Sequence, residues 1–553
     1  MADLLVLFPA ALILLVIGGA GCLVEGTPVS EGVRALLPLG LFSFCAFWIA
    51  LLSDGLWYEV VTTASFALGA IGWSRYARKA PRVSAASVSV AVVVLCAALL
   101  PLVTSYKILG DPDPFTSAQN RFMALPVDNR IPVLLADATR DDVYPIPLIG
   151  DWLGSDRPPL QSGVLLLGGL LLRPFSRGMN ADFIFSYLAQ LTWIFGAFEL
   201  VKSFSTRSTR LSATAGIVTA SLSGLVIVNT IFTWPKLMAS GFLLSSFASA
   251  YRWFVHRRDV PLSHHHLTAS SLLAGLAALS HGGVLFALIP MMAWITYAVL
   301  RPTRRKPTKS LTCFLAPLCG TYMTWSLWQR YGDPPGNRLL KWHIGGDPAL
   351  DRRGLFRTLM DSYGRISFGD MLSLKWTNIE NLVRNRHHAG RFLTPYQVLN
   401  KPAAAIETDF FGVVSAISWA LPVLTLGVLV SVVPRKRVEL RRVFRVALPG
   451  WLWWMASLLC WVLLMFGPSA TINHHGPLTM ALLPLILIGA MTGTAMRLVW
   501  LVGTVIQATA WMIVYPMYRY TWESHATSYL LSLSIVSVMI IAAVLNERQL
   551  RKG

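Results

Sequence analysis

Residues 83–104 read VSAASVSVAVVVLCAALLPLVT, a run without a single charge. As a helix it would extend about 33 Å, enough to cross the ~30 Å hydrocarbon core of a bilayer. Every backbone polar group must be satisfied inside such a segment, so the run predicts a transmembrane α-helix. Working outward, comparable apolar runs lie at 4–22, 36–53, 57–73, 181–201, 212–232, 236–255, 268–300, 310–329, 409–432, 447–467, 477–493, 496–516 and 527–546. The run 161–175 is short and reads as a half-span or an interfacial helix. The run 268–300 is long and interrupted at His281-Gly282-Gly283, as one tilted helix or two short ones. The expected fold class is all-α: a polytopic integral membrane protein of about 12–15 transmembrane helices with two large non-cytoplasmic loops.

The composition agrees. Of 553 residues, 54% are hydrophobic and 13% charged, about half the charge of a soluble domain. This excludes a soluble enzyme, a disordered regulator and a disulfide-rich secreted module. The net charge of +20 fits cytoplasmic loops on the positive-inside pattern rather than nucleic-acid binding. Six cysteines sit in apolar runs with no CxxC spacing, so neither a zinc site nor a disulfide framework is indicated. The first apolar run lacks the basic region of a cleavable signal peptide and is expected to stay.

Four basic clusters set the expected orientation: Arg75/Arg78/Lys79/Arg82, Arg301/Arg304/Arg305/Lys306/Lys309, Arg435/Lys436/Arg437/Arg441/Arg442/Arg445 and Arg548/Arg551/Lys552. With all four cytoplasmic, the chain divides into N-terminal spans (1–104), a non-cytoplasmic loop (105–160), central spans (161–329), a second non-cytoplasmic loop rich in basic and aromatic residues (330–408) and C-terminal spans (409–553). The parity between 161 and 300 stays open. In the second loop, Leu372, Trp376, Ile379 and Val383 recur at helical spacing. They predict a helix lying either on the membrane surface or against its own domain. No internal repeat is visible, which weighs against an inverted-repeat transporter.

The chemistry is expected in the loops. The first carries DNRIPVLLADATRDDVYPIPLIGDWLGSDRPPLQ at 128–161. Asp128 precedes an apolar run with Pro132 near its start, an N-cap pattern, or else a carboxylate held at the membrane face. Many carboxylates beside a bilayer are compatible with general-base or metal chemistry. Arg157, beside Pro158-Pro159, is suited to a phosphate leaving group or to snorkelling at a helix start. The second loop offers Arg338, Lys341, His343, Arg352, Arg353, Arg357, Arg384, Arg386, His387, His388 and Arg391. They are candidates for a lipid phosphate or an acidic glycan, with Trp342 placed to stack on a sugar, or else a solvated surface balanced by Asp333, Asp347, Asp351, Asp361, Asp370 and Glu380. His474 and His475 lie in a short turn and could reach the same phosphate. Lys236, after Trp234-Pro235, and His281, at the break, are ionisable groups in apolar surroundings and so candidate groove-lining residues.

These residues resemble the GT-C superfamily of membrane glycosyltransferases, nearest its protein mannosyltransferase and aminoarabinose transferase branch. The likeness rests on Asp128-Asn129-Arg130, then Gly150-Asp151-Trp152, then Arg157-Pro158-Pro159-Leu160, in that order over about forty residues. That branch carries an acidic pair where this chain has Asp128-Asn129, so the base is Asp128 or Asp137, with Asp128 at the helix start. Asp141-Asp142 is an adjacent pair but reads as a solvated loop. The resemblance implies a polyprenyl-phosphate sugar donor and a lipid-linked or cell-surface glycan acceptor. It implies inversion with an Asp as general base, and a bacterial inner-membrane location with the site facing the periplasm or exterior. Arg157, Lys341, His343, Arg352, Arg353, His474 and His475 would hold the donor phosphate, and Trp152, Pro158, Pro159, Lys236, His281 and Trp342 would line the groove. No metal ligands are assigned and no cofactor is required, although a divalent metal is compatible. Membrane lipids are expected partners and nucleic acid is not. The rival classes are a polysaccharide polymerase or ligase acting on a lipid-diphosphate-linked glycan, and a lipid-carrier flippase or transporter.

Overall fold

The computed structural model describes residues 2–23, 30–53, 55–79, 84–105, 108, 110–122, 125–143, 147–172, 180–206, 208–256, 260–301, 307–384, 412–467, 478–516 and 522–550. The described chain is almost wholly helical, and its β-structure is one two-stranded hairpin, Pro147–Ile149 with Trp152–Leu153. Among the described residues, seven helices are long and apolar enough to cross a membrane, Ala85–Thr104 among them. A bent pair, Ala213–Ser221 and Gly224–Ile231, broken by 71°, would make an eighth. Shorter apolar helices include Leu160–Leu172 and Leu421–Val430. The expected 12–15 took 212–232 and 409–432 as unbroken spans. Both are divided, 212–232 at Leu222-Ser223 and 409–432 at Trp419-Ala420, while 268–300 breaks at His281, where its sequence is interrupted.

The centre of the bundle is the helix Lys236–His256, which packs chiefly on Val260–Ser280 and Thr192–Phe204. It is buried on nearly every side over 236–250, which explains its lack of an amphipathic stripe: a helix surrounded by protein has no solvent face. Small residues permit the close approach. A Cβ on Gly196 would lie 2.5 Å from the Gly241 carbonyl oxygen, and one on Gly241 2.5 Å from the Thr192 carbonyl carbon.

One buried joint ties the Glu31–Leu52 helix to this centre. Glu199 is fully buried, pairs with Arg252 at 2.7 Å and accepts from the Ser30 hydroxyl at 2.5 Å and the Gly32 amide at 3.0 Å. Arg252 also donates to Ser30 Oγ at 2.7 Å. This acid in an apolar helix is thus explained by a satisfied network.

The same Glu31–Leu52 helix packs on Leu160–Leu172, which follows Arg157-Pro158-Pro159 directly. A Cβ on Gly163 would meet the Ser43 carbonyl oxygen at 2.1 Å. Gly163→Ala is therefore expected to push the two helices apart at an overpacking cost of roughly 1–3 kcal/mol. A lowered thermal midpoint of the purified protein, with the preceding Arg157 segment displaced, is the expected result. An unchanged midpoint would contradict this packing.

The described part of the second loop, up to Arg384, folds into three helices, Arg338–Gly345, Leu355–Tyr363 and Phe368–Arg384. On the last, Leu372 and Trp376 are 53% and 63% exposed, so the apolar stripe is not covered by its own domain. The other side of that helix docks on the C-terminal end of Pro434–Leu464. Lys375 donates to the Met465 carbonyl at 2.5 Å, and Asn378 donates to the Val462 and Met465 carbonyls at 3.1 and 2.9 Å. These bonds supply partners for carbonyls that the helix terminus leaves open.

Candidate functional site

The site begins at a buried asparagine. Asn129 has no solvent exposure, donates to the Phe115 carbonyl at 3.0 Å and accepts from Gln119 at 3.0 Å. These bonds fix the 3₁₀ turn Val127–Arg130. Asp128, in the same turn, is not the helix cap that its position suggested. The helix Ile131–Arg140 starts with Arg130 in the cap position and no side-chain cap, and the Asp128 carboxylate is engaged elsewhere. Its Oδ2 accepts from Arg157 Nη2 at 2.8 Å, with the two side chains only 14% and 7% exposed.

Arg157 is positioned by the hairpin ahead of it. Gly150 stands at φ +56° in the two-residue turn, a conformation that hairpin turns of this length demand and glycine adopts freely. The strand that follows brings the Trp152 ring to 4.6 Å from the Arg157 guanidinium, while the Trp234 ring lies at 5.3 Å. Asp156 accepts from the Leu153 amide at 2.9 Å and closes the next turn. Pro159 offers its carbonyl to the Gly163 amide at 3.0 Å and starts the following helix. Burial draws the Arg157 guanidinium below its ordinary pKa, and the Asp128 and Asp156 carboxylates oppose this. Burial also raises the Asp156 carboxyl, against the Leu153 amide and Arg338. Both charges are held out of water at some cost, which structural surface pairs do not incur.

Lys236 enters from the first turn of the central helix. It is 3% exposed, with its ammonium 4.1 Å from the Trp234 ring centre. Thr233, just before, has φ +58°, a strained value for a β-branched residue. Its carbonyl accepts from Gln161 at 2.9 Å and Gln190 at 3.4 Å, which holds the turn in place. His281 occupies the break between two helices. Its Nδ1 accepts from the Gly283 amide at 3.0 Å, and its ring meets Trp234 edge-on at 5.8 Å.

The Arg338–Gly345 helix closes the cluster. Arg338 pairs with Asp151 at 2.5 Å and Asp156 at 3.6 Å, and lies 4.9 Å from the Trp152 ring. That hydrogen bond holds the Asp151 carboxyl below its ordinary value. Trp342 comes within 6.5 Å of Trp152 and stacks on His343 at 5.3 Å. The loop is pinned from behind by Asp333, which accepts from the Ser155 amide at 2.7 Å.

The structure therefore gathers Asp128, Trp152, Arg157, Lys236, His281, Trp342 and His343 from five separate segments. Pro158 and Pro159 shape the approach. Other expected residues lie elsewhere. Asp137 pairs with Arg140 at 2.9 Å on a half-exposed helix face; burial raises its carboxyl and Arg140 lowers it. Lys341 is 2% exposed and bound to Asp351 at 3.1 Å. Arg353 contacts Asp347, Asp351 and Asp361, so both cations brace their own loop. Arg352 is exposed. Asp141 and Asp142 are exposed, as a solvated pair would be. Arg386, His387, His388, Arg391, His474 and His475 lie outside the described residues. Among the described residues, no group of three or more His, Cys, Asp or Glu could hold a metal ion.

Sequence reasoning did not single out Trp234, Arg338 or Asp156 as members of one cluster, because only the tertiary fold brings them together. It had no signal at all for the Ser155–Asp333 strut or the Gln161–Thr233 bond. Chemically, Arg157 and Lys236 lie among aromatic rings, with Asp128 paired to Arg157 at 2.8 Å and Asp156 close by. Such a site favours an anion with an attached apolar or sugar group. No family model, no curated protein and no solved structure matches the chain.

Proposed function

We propose that the chain is a membrane glycosyltransferase. It transfers a sugar from a polyprenyl-phosphate donor to a lipid-linked or cell-surface glycan, with inversion. It does so in the inner membrane, with the site on the periplasmic or exterior side. The observation that carries this reading is the buried Arg157–Asp128 pair set between Trp152 and Trp234, with Lys236 alongside. An acceptor hydroxyl attacks the anomeric carbon, and Asp128 takes its proton through the oxygen not engaged by Arg157. The bond from the anomeric carbon to the phosphate oxygen breaks. The negative charge left on the lipid phosphate is met by Arg157 and Lys236, fixed in advance by their stacking partners. Trp152 and Trp342, whose rings are 6.5 Å apart, would bind the sugar face. The exposed apolar faces of Leu355–Tyr363 and Phe368–Arg384, with Phe356 and Trp376 outward, would rest on the membrane surface. A polymerase acting through the loop arginines is less well supported, since Lys341 and Arg353 are engaged by carboxylates.

Arg157→Lys tests the phosphate assignment. A lysine keeps the charge but loses the planar fork and the stacking on two indoles. Binding of free polyprenyl phosphate, the leaving lipid, is expected to weaken roughly tenfold or more, the ~1.5–3 kcal/mol of a hydrogen bond to a charged group. Equal affinity of the purified variant and the parent for that lipid would refute the assignment.

A further inference from the structure

A groove of about 390 Å³ lies between the helices Leu421–Val430, Pro434–Leu464 and Leu478–Ala495. This is within the usual range of ligand-sized pockets, ~300–1,000 Å³. It shares no residue with the Arg157 cluster. Its walls are apolar, with Leu424, Val428, Phe444 and Met491 among them, and Arg441 and Arg445 border it with the apolar parts of their side chains, so that their guanidinium groups stand at its rim. Gly427 forms part of the wall: a Cβ there would have only Thr492 at 3.4 Å and Met496 at 3.8 Å nearby.

The two arginines are four residues apart on one helix and so share a face. Both are exposed, and neither makes an ion pair or a side-chain hydrogen bond among the described residues. The segment 434–446 holds six cations and one acid, Glu439, and Glu439 is paired to Lys436 at 2.9 Å. Phe466, whose amide donates to the His343 carbonyl beside the candidate site, follows the other end of the same long helix. At 1.5 Å per residue, Arg445 and Phe466 are separated by about 30 Å, one hydrocarbon thickness. An apolar trough beside unpaired cations at one membrane boundary matches a molecule with a hydrocarbon chain and an anionic head.

We propose that this groove binds an anionic phospholipid, its acyl chain against Leu424, Val428 and Phe444 and its phosphate on Arg441 and Arg445. Basic groups next to a span attract anionic headgroups, and the groove adds a fixed place for the chain that only Arg441 and Arg445 flank. The lipid sits across the membrane from the Arg157 cluster, so it is a bound partner rather than a substrate.

The test uses the full chain, delipidated in detergent and titrated with phosphatidylglycerol or phosphatidylcholine, with retained lipid counted by native mass spectrometry. Phosphatidylglycerol is expected to be retained over phosphatidylcholine. Arg441→Gln with Arg445→Gln should weaken its retention roughly tenfold or more. Arg435→Gln with Arg437→Gln, on the same helix but outside the groove, should leave it unchanged. Gly427→Leu, which fills the trough, should abolish it. Equal retention of both lipids, equal loss in both arginine pairs, or displacement of the lipid by inorganic phosphate alone would overturn the proposal.

Discussion

Asp128→Asn is expected to lower sugar transfer by roughly 10²–10⁴-fold, the contribution of a positioned general base. Asp137→Asn should leave transfer essentially unchanged. The two acids are equivalent by composition and differ by surroundings. Asp128 sits at 2.8 Å from a buried arginine flanked by two indoles. Asp137 pairs with its helix neighbour Arg140 on a half-exposed face. Asparagine keeps an acceptor for Arg157, so the fold should survive, and the size-exclusion profile and thermal midpoint of the variant check this. Transfer by a folded Asp128→Asn protein at the parent rate would remove Asp128 from the mechanism. Loss of transfer in Asp137→Asn alone would move the base to that residue.

Glu199→Ala is expected to have the largest effect on stability, about 3–5 kcal/mol, because it leaves Arg252 as an uncompensated, mostly buried charge. The carboxylate serves three partners at once: Arg252, the Ser30 hydroxyl and the Gly32 amide. Gly32→Ala should destabilise by the same route, since its Cβ would lie 2.6 Å from Glu199 Oε1. A cycle combining Glu199→Ala with Arg252→Ala, followed by thermal or detergent unfolding, should show strong coupling. A coupling below about 1 kcal/mol would place the pair with ordinary surface ion pairs and contradict the joint described above.

The legible and illegible parts of this chain divide by the range of the interactions involved. The span at 83–104 was readable because hydrocarbon imposes one requirement over twenty or so consecutive residues. His281-Gly282-Gly283 announced a break for the same local reason, and the structure interrupts the helix there. The stripe Leu372, Trp376 and Ile379 announced a helix, and Phe368–Arg384 is one. Kinks at Leu222-Ser223 and Trp419-Ala420 were not readable, since apolar composition is indifferent to a bend that neighbouring helices can satisfy. In the candidate site, the chemistry-bearing types stood out singly: Asp128, Arg157, Lys236 and His281 each look costly in apolar surroundings. Their convergence did not stand out, because Trp234 and Arg338 are set by packing across more than seventy residues of sequence. For the same reason composition offered Asp347, Asp351 and Asp361 as balancing charges for the basic set without showing which cations they bind; they fold back on Lys341 and Arg353.

The most direct measurement is product analysis after incubating the purified protein with radiolabelled polyprenyl-phosphate sugars and extracted cell-envelope glycolipid. Radiolabel joined to the glycolipid through a new glycosidic bond of inverted anomeric configuration, with polyprenyl phosphate released, is the predicted outcome. Labelled carrier that crosses a bilayer intact, with no glycosidic bond formed under any donor, would contradict it.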